Sequence, residues 1–364
     1  MEQTQSTGRP PACAAPLPVH PKSFPNGDPD APLNPPAAKN TDSCLPLSHA
    51  GQVMHNYVCD GPAPGDIAFR WMHGSVCAAT NTDPDIQIVT YNEDTYILRE
   101  NVCVHWQAPF TYLLFGNRGA LLIDTGATPE PEYYPLRATV DALIRRWCAA
   151  RNIPDIPLTV VLTSGEYLAQ NQGLRQFAAR PNTTLAPTGL AAIKDFYSLS
   201  SSWPNGIGKI DLGGRIIDVI PTPGAHKDGV SFYDSHDCFL FTGDLFFPGR
   251  IQIANDHDYT ASLARLVEWN RTHTIKWVLG GHIDMMFVPG HAYPRFASYK
   301  PLERLLQMDP SLLADALSQA NGLAGRSGVA IRADYSLLNR VSPDEDAYYV
   351  SPDLPYIDVS YWLP

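Results

Sequence analysis

Short apolar segments that run out into a glycine-rich turn and a carboxylate set the strongest limit on how this chain folds. Residues 120–126 (ALLIDTG) and 238–244 (CFLFTGD) are the clearest pair. Each is rich in β-branched or aromatic residues, too short for a helix of usual length, and closed by turn formers, so each reads as a buried strand. Further segments of this kind fall at 87–91, 111–115, 158–163, 208–220, 229–233 and 276–279. Between them lie helical stretches. Over 137–150, Val140, Leu143, Ile144, Trp147 and Cys148 recur at helical spacing, as a core-facing stripe requires. A second helix is expected near 259–269, with Leu263, Leu266 and Val267 inward, and helix again over 298–321, interrupted at Pro310. Strands and helices alternate in two similar halves, which fits an α/β chain of two packed sheets with helices outside.

The flanks differ from this body. Residues 1–45 are rich in Pro and Ala without apolar periodicity and read as a flexible arm. Residues 46–85, with Tyr57, Phe69, Trp71 and Met72, read as an extension packed on the core. The core domain is placed at 86–297, and 298–364 as C-terminal helices followed by a Tyr- and Pro-rich tail. The helices there offer a surface for a homodimer.

Composition excludes several classes. A net charge of −11 without Lys/Arg blocks leaves no electrostatic footprint for nucleic acid or for anionic membranes. No apolar run reaches a membrane-spanning length. The N-terminus lacks a basic region followed by an apolar stretch, which points to the cytoplasm. The seven cysteines, at 13, 44, 59, 77, 103, 148 and 238, are widely spaced and read as free thiols, with pairing among the first four the alternative in an exported protein.

Three segments carry a family resemblance. Residues 112–126 (YLLFGNRGALLIDTG) resemble the opening strand pair of the metallo-β-lactamase superfamily. Residues 221–224 (PTPG), 229–234 (GVSFYD) and 241–250 (FTGDLFFPGR) resemble its second half, and 280–284 (GGHID) its last ligand strand. The resemblance covers roughly 90–295 and implies an αββα sandwich. It also implies one or two metal ions, usually zinc, held by a His-x-His-x-Asp-His loop, a His after Thr-Pro-Gly, a bridging Asp and a final His. Imidazole and carboxylate suit such metals, which lower the pKa of a bridging water.

The ligand set departs from that pattern. Where the loop should read Thr-His-x-His-x-Asp-His, residues 163–173 read TSGEYLAQNQG. A shift by one residue puts Gly165, Tyr167, Ala169 and Gln170 at the ligand positions, and neither register restores the set. Ala225 follows Thr-Pro-Gly, with His226 one residue late; only Asp244 and His282 stand where ligands belong. Two ligands do not hold zinc tightly. The preferred expectation is therefore no cofactor, with Asp244 orienting a protonated His282 in a metal-free pocket. The candidate catalytic residues are Glu166, Tyr167, His226, Asp244 and His282. If a metal binds, a single zinc or iron on Asp244, His282, His226 and Glu166 is the alternative. Asp124 is expected to brace the loop from below, His257 to sit at a helix start, and His105-Trp106 to line the pocket.

Three functions remain open at this stage. The first, preferred, is a metal-independent enzyme working on a small molecule by acid/base chemistry in a biosynthetic pathway, of lyase, cyclase or hydrolase type. The others are a hydrolase with a rearranged single-metal site and a non-catalytic binding or scaffold protein.

Overall fold

The computed structural model describes residues 47–49, 52–57, 62–67 and 69–341. The expected N-terminal arm and the end of the C-terminal tail lie outside these residues. A small hairpin, β1 (Leu47–His49) with β2 (Gln52–Met54), precedes the body. One six-stranded sheet follows: β3 (Ile86–Asn92), β4 (Thr95–Glu100), β5 (Phe110–Gly116), β6 (Gly119–Ile123), β7 (Leu158–Val161) and β8 (Thr183–Leu185), in spatial order 3-4-5-6-7-8. The long connection between β6 and β7 holds helix α1 (Leu136–Arg151); the short helices α2 (Leu168–Asn171) and α3 (Leu190–Phe196) flank β8.

The second six-stranded sheet collects β9 (Gly208–Asp211), β10 (Ile216–Pro221), β11 (Val230–Asp234) and β12 (Phe239–Gly243). After β13 (Arg250–Ile253) and helix α4 (Asp256–Thr272), the chain adds β14 (Trp277–Gly280) parallel to β12 and then the two-residue β15 (Gln307–Met308). Helix α5 (Leu312–Leu323) leads to β16 (Gly328–Ile331) and β17 (Ser336–Asn339), which form a separate three-stranded sheet with β13.

Side-chain alternation along the strands separates three apolar layers, as period 2 demands. Ile97, Tyr112, Leu114, Leu121 and Ile123 of the first sheet meet Val219, Phe232, Phe239 and Phe241 of the second. On its other face the first sheet presents Leu98, Leu113, Phe115 and Leu122 to Val140, Leu143, Ile144 and Trp147 of α1. Tyr233, Leu240 and Val278 of the second sheet pack on Leu263 and Leu266 of α4 and on α5. The result is the expected αββα sandwich. Asn152, in the left-handed region, ends α1, its amide bonding back to Ala149 and Cys148. Asn255 caps α4 by accepting from Asp258 N, and Asp256 and Asp258 favour the positive end of its dipole.

Two expectations need correction. The helix over 298–321 exists only as α5: residues 298–306 form no helix, because Lys300 and Glu303 turn inward as buried charged groups instead of following a helical face. The segment 208–220 is a hairpin of β9 and β10, bent by Gly213 and Gly214. The reading of the cysteines also changes: Cys77 is disulfide-bonded, while Cys103, Cys148 and Cys238 are free. Disulfides persist mainly in oxidising compartments, the setting in which pairing among the first four cysteines was the alternative. Among the described residues no helix is long and apolar enough to cross a membrane.

One buried cation joins the sheets. Arg215 donates to the backbone oxygens of Asp94 (2.8 Å) and Phe115 (3.0 Å) in the first sheet. It also ion-pairs with Asp234 (2.5 Å) and Asp237 (2.7 Å) at the β11–β12 turn. Removing one partner of such a buried pair strands the others in a dry site. Arg215→Ala should therefore lower the unfolding free energy by roughly 3–5 kcal/mol. Arg118→Ala, which loses an exposed pair with Asp211, should cost less than about 1 kcal/mol. Urea denaturation of both variants checks this; equal losses would remove Arg215 from its role.

Candidate functional site

The residues singled out by motif meet at the end of the sandwich where β6, β7, β12 and β14 terminate. Asp124 follows β6 in a left-handed conformation (φ 63°) and is buried. It accepts from Thr163 N at 2.7 Å and lies 2.8 Å from the Thr163 hydroxyl, bracing the loop from below as expected. Burial lifts its pKa to about 8, with Asp244 adding to the rise against the Thr163 bonds. The Thr163 hydroxyl donates toward Asp124 and also lies 2.7 Å from Gln170 Oε1.

The chain of bonds continues. Gln170 Nε2 donates to Asp244 Oδ1 at 2.9 Å, and the same oxygen lies 3.2 Å from His282 Nδ1. On the other side of the ring, His282 Nε2 is 3.6 Å from Asp284 Oδ1. Burial works to lower the His282 pKa, but the two aspartates outweigh it and hold it up at about 9. His282 is thus an imidazolium at neutral pH. Asp284 is buried too, yet His282, Arg250 and Lys300 pull it well below the usual carboxylate range. The close approach of the strands needs Gly281: a Cβ there would come within 2.8 Å of both Asp244 Oδ1 and Gln170 Nε2.

The loop packs closely at Gly173, where a Cβ would collide with Thr125 O at 2.1 Å. Tyr167 turns inward. Its hydroxyl lies 2.5 Å from the Gln107 amide, which is 3.3 Å from His282 Nε2. Because a charged His282 has donors on both nitrogens, Gln107 meets it best with its amide oxygen, an orientation fixed only by the network. Burial, then the Asp244 charge, pushes the Tyr167 pKa up, so it stays a phenol. The His226 ring lies against Tyr167, with centroids 4.8 Å apart.

Of the five candidates, Tyr167, His226, Asp244 and His282 come together. Glu166 does not join them: its carboxylate turns outward to Lys227 at 2.7 Å, the next position on the loop facing the opposite way. Between the side chains remains only a water-sized cavity, lined among others by Thr163, Gln170, Ala225, His226 and Asp244. His105 stands behind Gln107; burial first, then the His282 charge, lowers its pKa to about 4. Trp106 covers Lys300, whose ammonium is 5.9 Å from the ring. His257 is exposed in the first turn of α4, away from the cluster.

Sequence reasoning missed Gln107, Gln170 and Asp284 as members. The alternation His282-x-Asp284 was the available signal for one; the two amides carry no motif.

Comparison with known proteins agrees on the fold family. The metallo-beta-lactamase superfamily model matches residues 142–291. Over 80 residues the chain is 31% identical to the acyl-coenzyme A thioesterase MBLAC2 of Gallus gallus, a match that takes in 21% of this chain and 29% of that protein. Among solved structures, a metallo-beta-lactamase from Pontibacter korlensis is 17% identical, with a TM-score of 0.42, covering 65% of this chain and 99% of that one. The archaeal superfamily protein ST1585 from Sulfolobus tokodaii is 16% identical, with a TM-score of 0.34, over 58% and 80% of the two chains.

The His282 pKa sets a pH dependence. A histidine raised to about 9 in the folded state stabilises fully below its ordinary value near 6.5, and that contribution is lost as pH rises through 9. The stability difference between the protein and His282→Gln should therefore shrink by roughly 3 kcal/mol between pH 6 and 9.5. Denaturant titrations across that range measure it; a constant difference would mean that His282 is not held as an imidazolium.

Proposed function

We propose that this chain, which belongs to the metallo-beta-lactamase superfamily through residues 142–291, is an enzyme that works on a small molecule by metal-independent acid/base chemistry. The observation that carries the reading is the charged, doubly paired His282 beside the Tyr167 phenol. The donor set fits the family's dinuclear centre poorly. Both His282 nitrogens already face aspartates, Gln170 fills the space beside Asp244, and Ala169 and Ala225 bring no donor. A zinc site needs at least three protein ligands. No step is therefore routed through a metal here.

The geometry instead supplies protons. The Tyr167 phenol and the His282 imidazolium are joined through Gln107, and a phenol turned out of that bond can donate to an oxygen that gains negative charge while the imidazolium keeps positive charge beside it. Asp244 and Asp284 keep the imidazolium oriented. His226, on the solvent side of Tyr167 and half-buried, is placed to take a proton from the opposite side of a bound molecule. Charge passed to His282 is compensated along the bonds through Asp244, Gln170 and Thr163 to Asp124. Since the cavity holds only about one water, a substrate enters by moving the Tyr167 loop, which the exposed Glu166–Lys227 pair fastens.

A second reading is hydrolysis of an acyl thioester at a single metal on Asp244, His282, His226 and Glu166, the last turned inward from Lys227. The partial likeness to an acyl-coenzyme A thioesterase favours it. One experiment separates the two. Metal-stripped protein is offered a panel of acyl thioesters, esters and lactones, with products followed by mass spectrometry. The proposal expects turnover without metal, lowered at least about 100-fold by His282→Gln and by Tyr167→Phe, and within a few-fold of normal in Glu166→Gln. Turnover that appears only on adding zinc, and is lost with His282→Gln, would establish the thioesterase reading instead. No turnover under either condition would count against both and favour a binding role.

A further inference from the structure

At the opposite end of the sandwich lies a second cluster that the acid/base chemistry does not use. The turn between β3 and β4 carries Asp94, the turn between β11 and β12 carries His236, and His55 arrives from the segment after β2. Because β4 runs parallel to β6, and β12 to β14, these turns sit at the strand ends away from Asp244 and His282.

We propose that His55, Asp94 and His236 form a structural site for a zinc-class divalent cation, which pins the N-terminal segment to the turns of both sheets.

One ligand atom from each residue lies within 4.8 Å of the others. Ligands on a shared zinc, each about 2.0–2.2 Å from it, lie within roughly 4.4 Å of one another, so the three side chains would draw slightly together on binding. The two oxygens of Asp94 are treated differently. Oδ1 accepts from Trp147 Nε1 (2.8 Å) and from Arg151 Nη2 (2.6 Å). Oδ2 faces His55 Nδ1 at 2.7 Å. The buried Tyr57 hydroxyl lies beside the same carboxylate, whose charge adds to the effect of burial in raising its pKa. Its ring stacks on His55 (4.8 Å between centroids) and meets His236 edge-on (4.9 Å). Two imidazoles and a carboxylate gathered at one largely buried place are a donor set suited to a zinc-class cation.

The surroundings are built as an outer shell. The His236 amide donates to Asp234 Oδ1 at 3.1 Å, and its carbonyl accepts from Ala63 N at 2.7 Å. Trp147 and Arg151 fix the Asp94 carboxylate, as outer-shell donors do for ligating groups. Burial, then the Arg215 charge, depresses the His236 pKa to about 3, so its ring is neutral and ready to ligate. The local charge is not prohibitive. Arg151 and Arg215 oppose a cation, but Asp94, Glu93, Asp234 and Asp237 surround the same space and outnumber them. Three protein ligands leave one tetrahedral position for water or the Tyr57 oxygen.

The plain competing account is a His55–Asp94 ion pair packed among aromatic rings. It rests on the same contacts and predicts no response to zinc.

The test uses the full chain stripped of metal, titrated with zinc and, for its visible absorption, with cobalt(II). The expected result is one equivalent bound per chain, a tetrahedral cobalt spectrum and a melting temperature raised by several degrees. His55→Gln and His236→Gln should each abolish the equivalent and the thermal shift, while His282→Gln retains both. Both glutamines keep a polar group in place, and circular dichroism checks that the variants fold. Binding that survives in the folded double variant, or no binding to the parent chain, would overturn the proposal. Loss of the equivalent in His282→Gln alone would place the metal at the other end and overturn it as well.

Discussion

The sandwich depends on a single buried guanidinium. Arg215 reaches from the second sheet to carbonyls at the edge of the first, and meets two aspartates with the rest of its donors. Taking that many charges out of water is costly, and only complete pairing makes the arrangement tolerable. The aspartates do not share the burden equally. Burial pushes both upward; the Arg215 charge then holds Asp234 below the usual range, whereas Asp237 stays raised. Apolar layers alone would let the sheets slide, since burial is non-directional. Arg215 fixes their relative position, and therefore the position of the strand ends at the far side, where the candidate site is assembled.

At that far side an amide and a phenol on the loop join one connected set of polar groups. From Asp124 through Thr163, Gln170, Asp244 and His282 to Asp284, each member has a neighbour within 2.7–3.6 Å. Amides suit this task because each offers both a donor and an acceptor, so Gln170 links a hydroxyl on one side to a carboxylate on the other. The consequence is a site that is full rather than open. Its polar groups pair with one another, and the side chains leave a cavity of about one water.

The sequence spoke most clearly where one physical pattern dominated. The stripe from Val140 to Cys148 was legible because only a helix places those residues on one face. Strand β4 was not, because Arg99 and Glu100 break its apolar run; both are buried, Arg99 against Glu303 and Glu100 against Thr128. Residues 298–306 misled for the related reason that Leu302 and Leu305 mimic a helical repeat while Lys300 and Glu303 determine the path. In the site, Asp244 and His282 were visible through their motif. Glu166 was chosen for its chemistry, yet its neighbour Tyr167 takes the inward position. Gln170 was reached only as the last position of a shifted ligand register, and Gln107 was silent, since an amide in a loop reads like any other polar residue until its partners are known.

His282 and His236 show why residue type alone could not assign the chemistry. Both are buried, and burial lowers the pKa of each. His282 has an aspartate at either nitrogen, and their attraction exceeds the desolvation cost, leaving a charged proton donor. His236 lies in the field of Arg215, which reinforces burial against the pull of Asp234 and Asp94, leaving a neutral ring with a lone pair to offer. The same side chain is thereby a source of protons at one end of the sandwich and of electron pairs at the other. The difference arises from which charges the sheets carry to each end: carboxylates converge on the ring at the loop end, whereas at the turn end the Arg215 charge acts with burial against the pull of the aspartates.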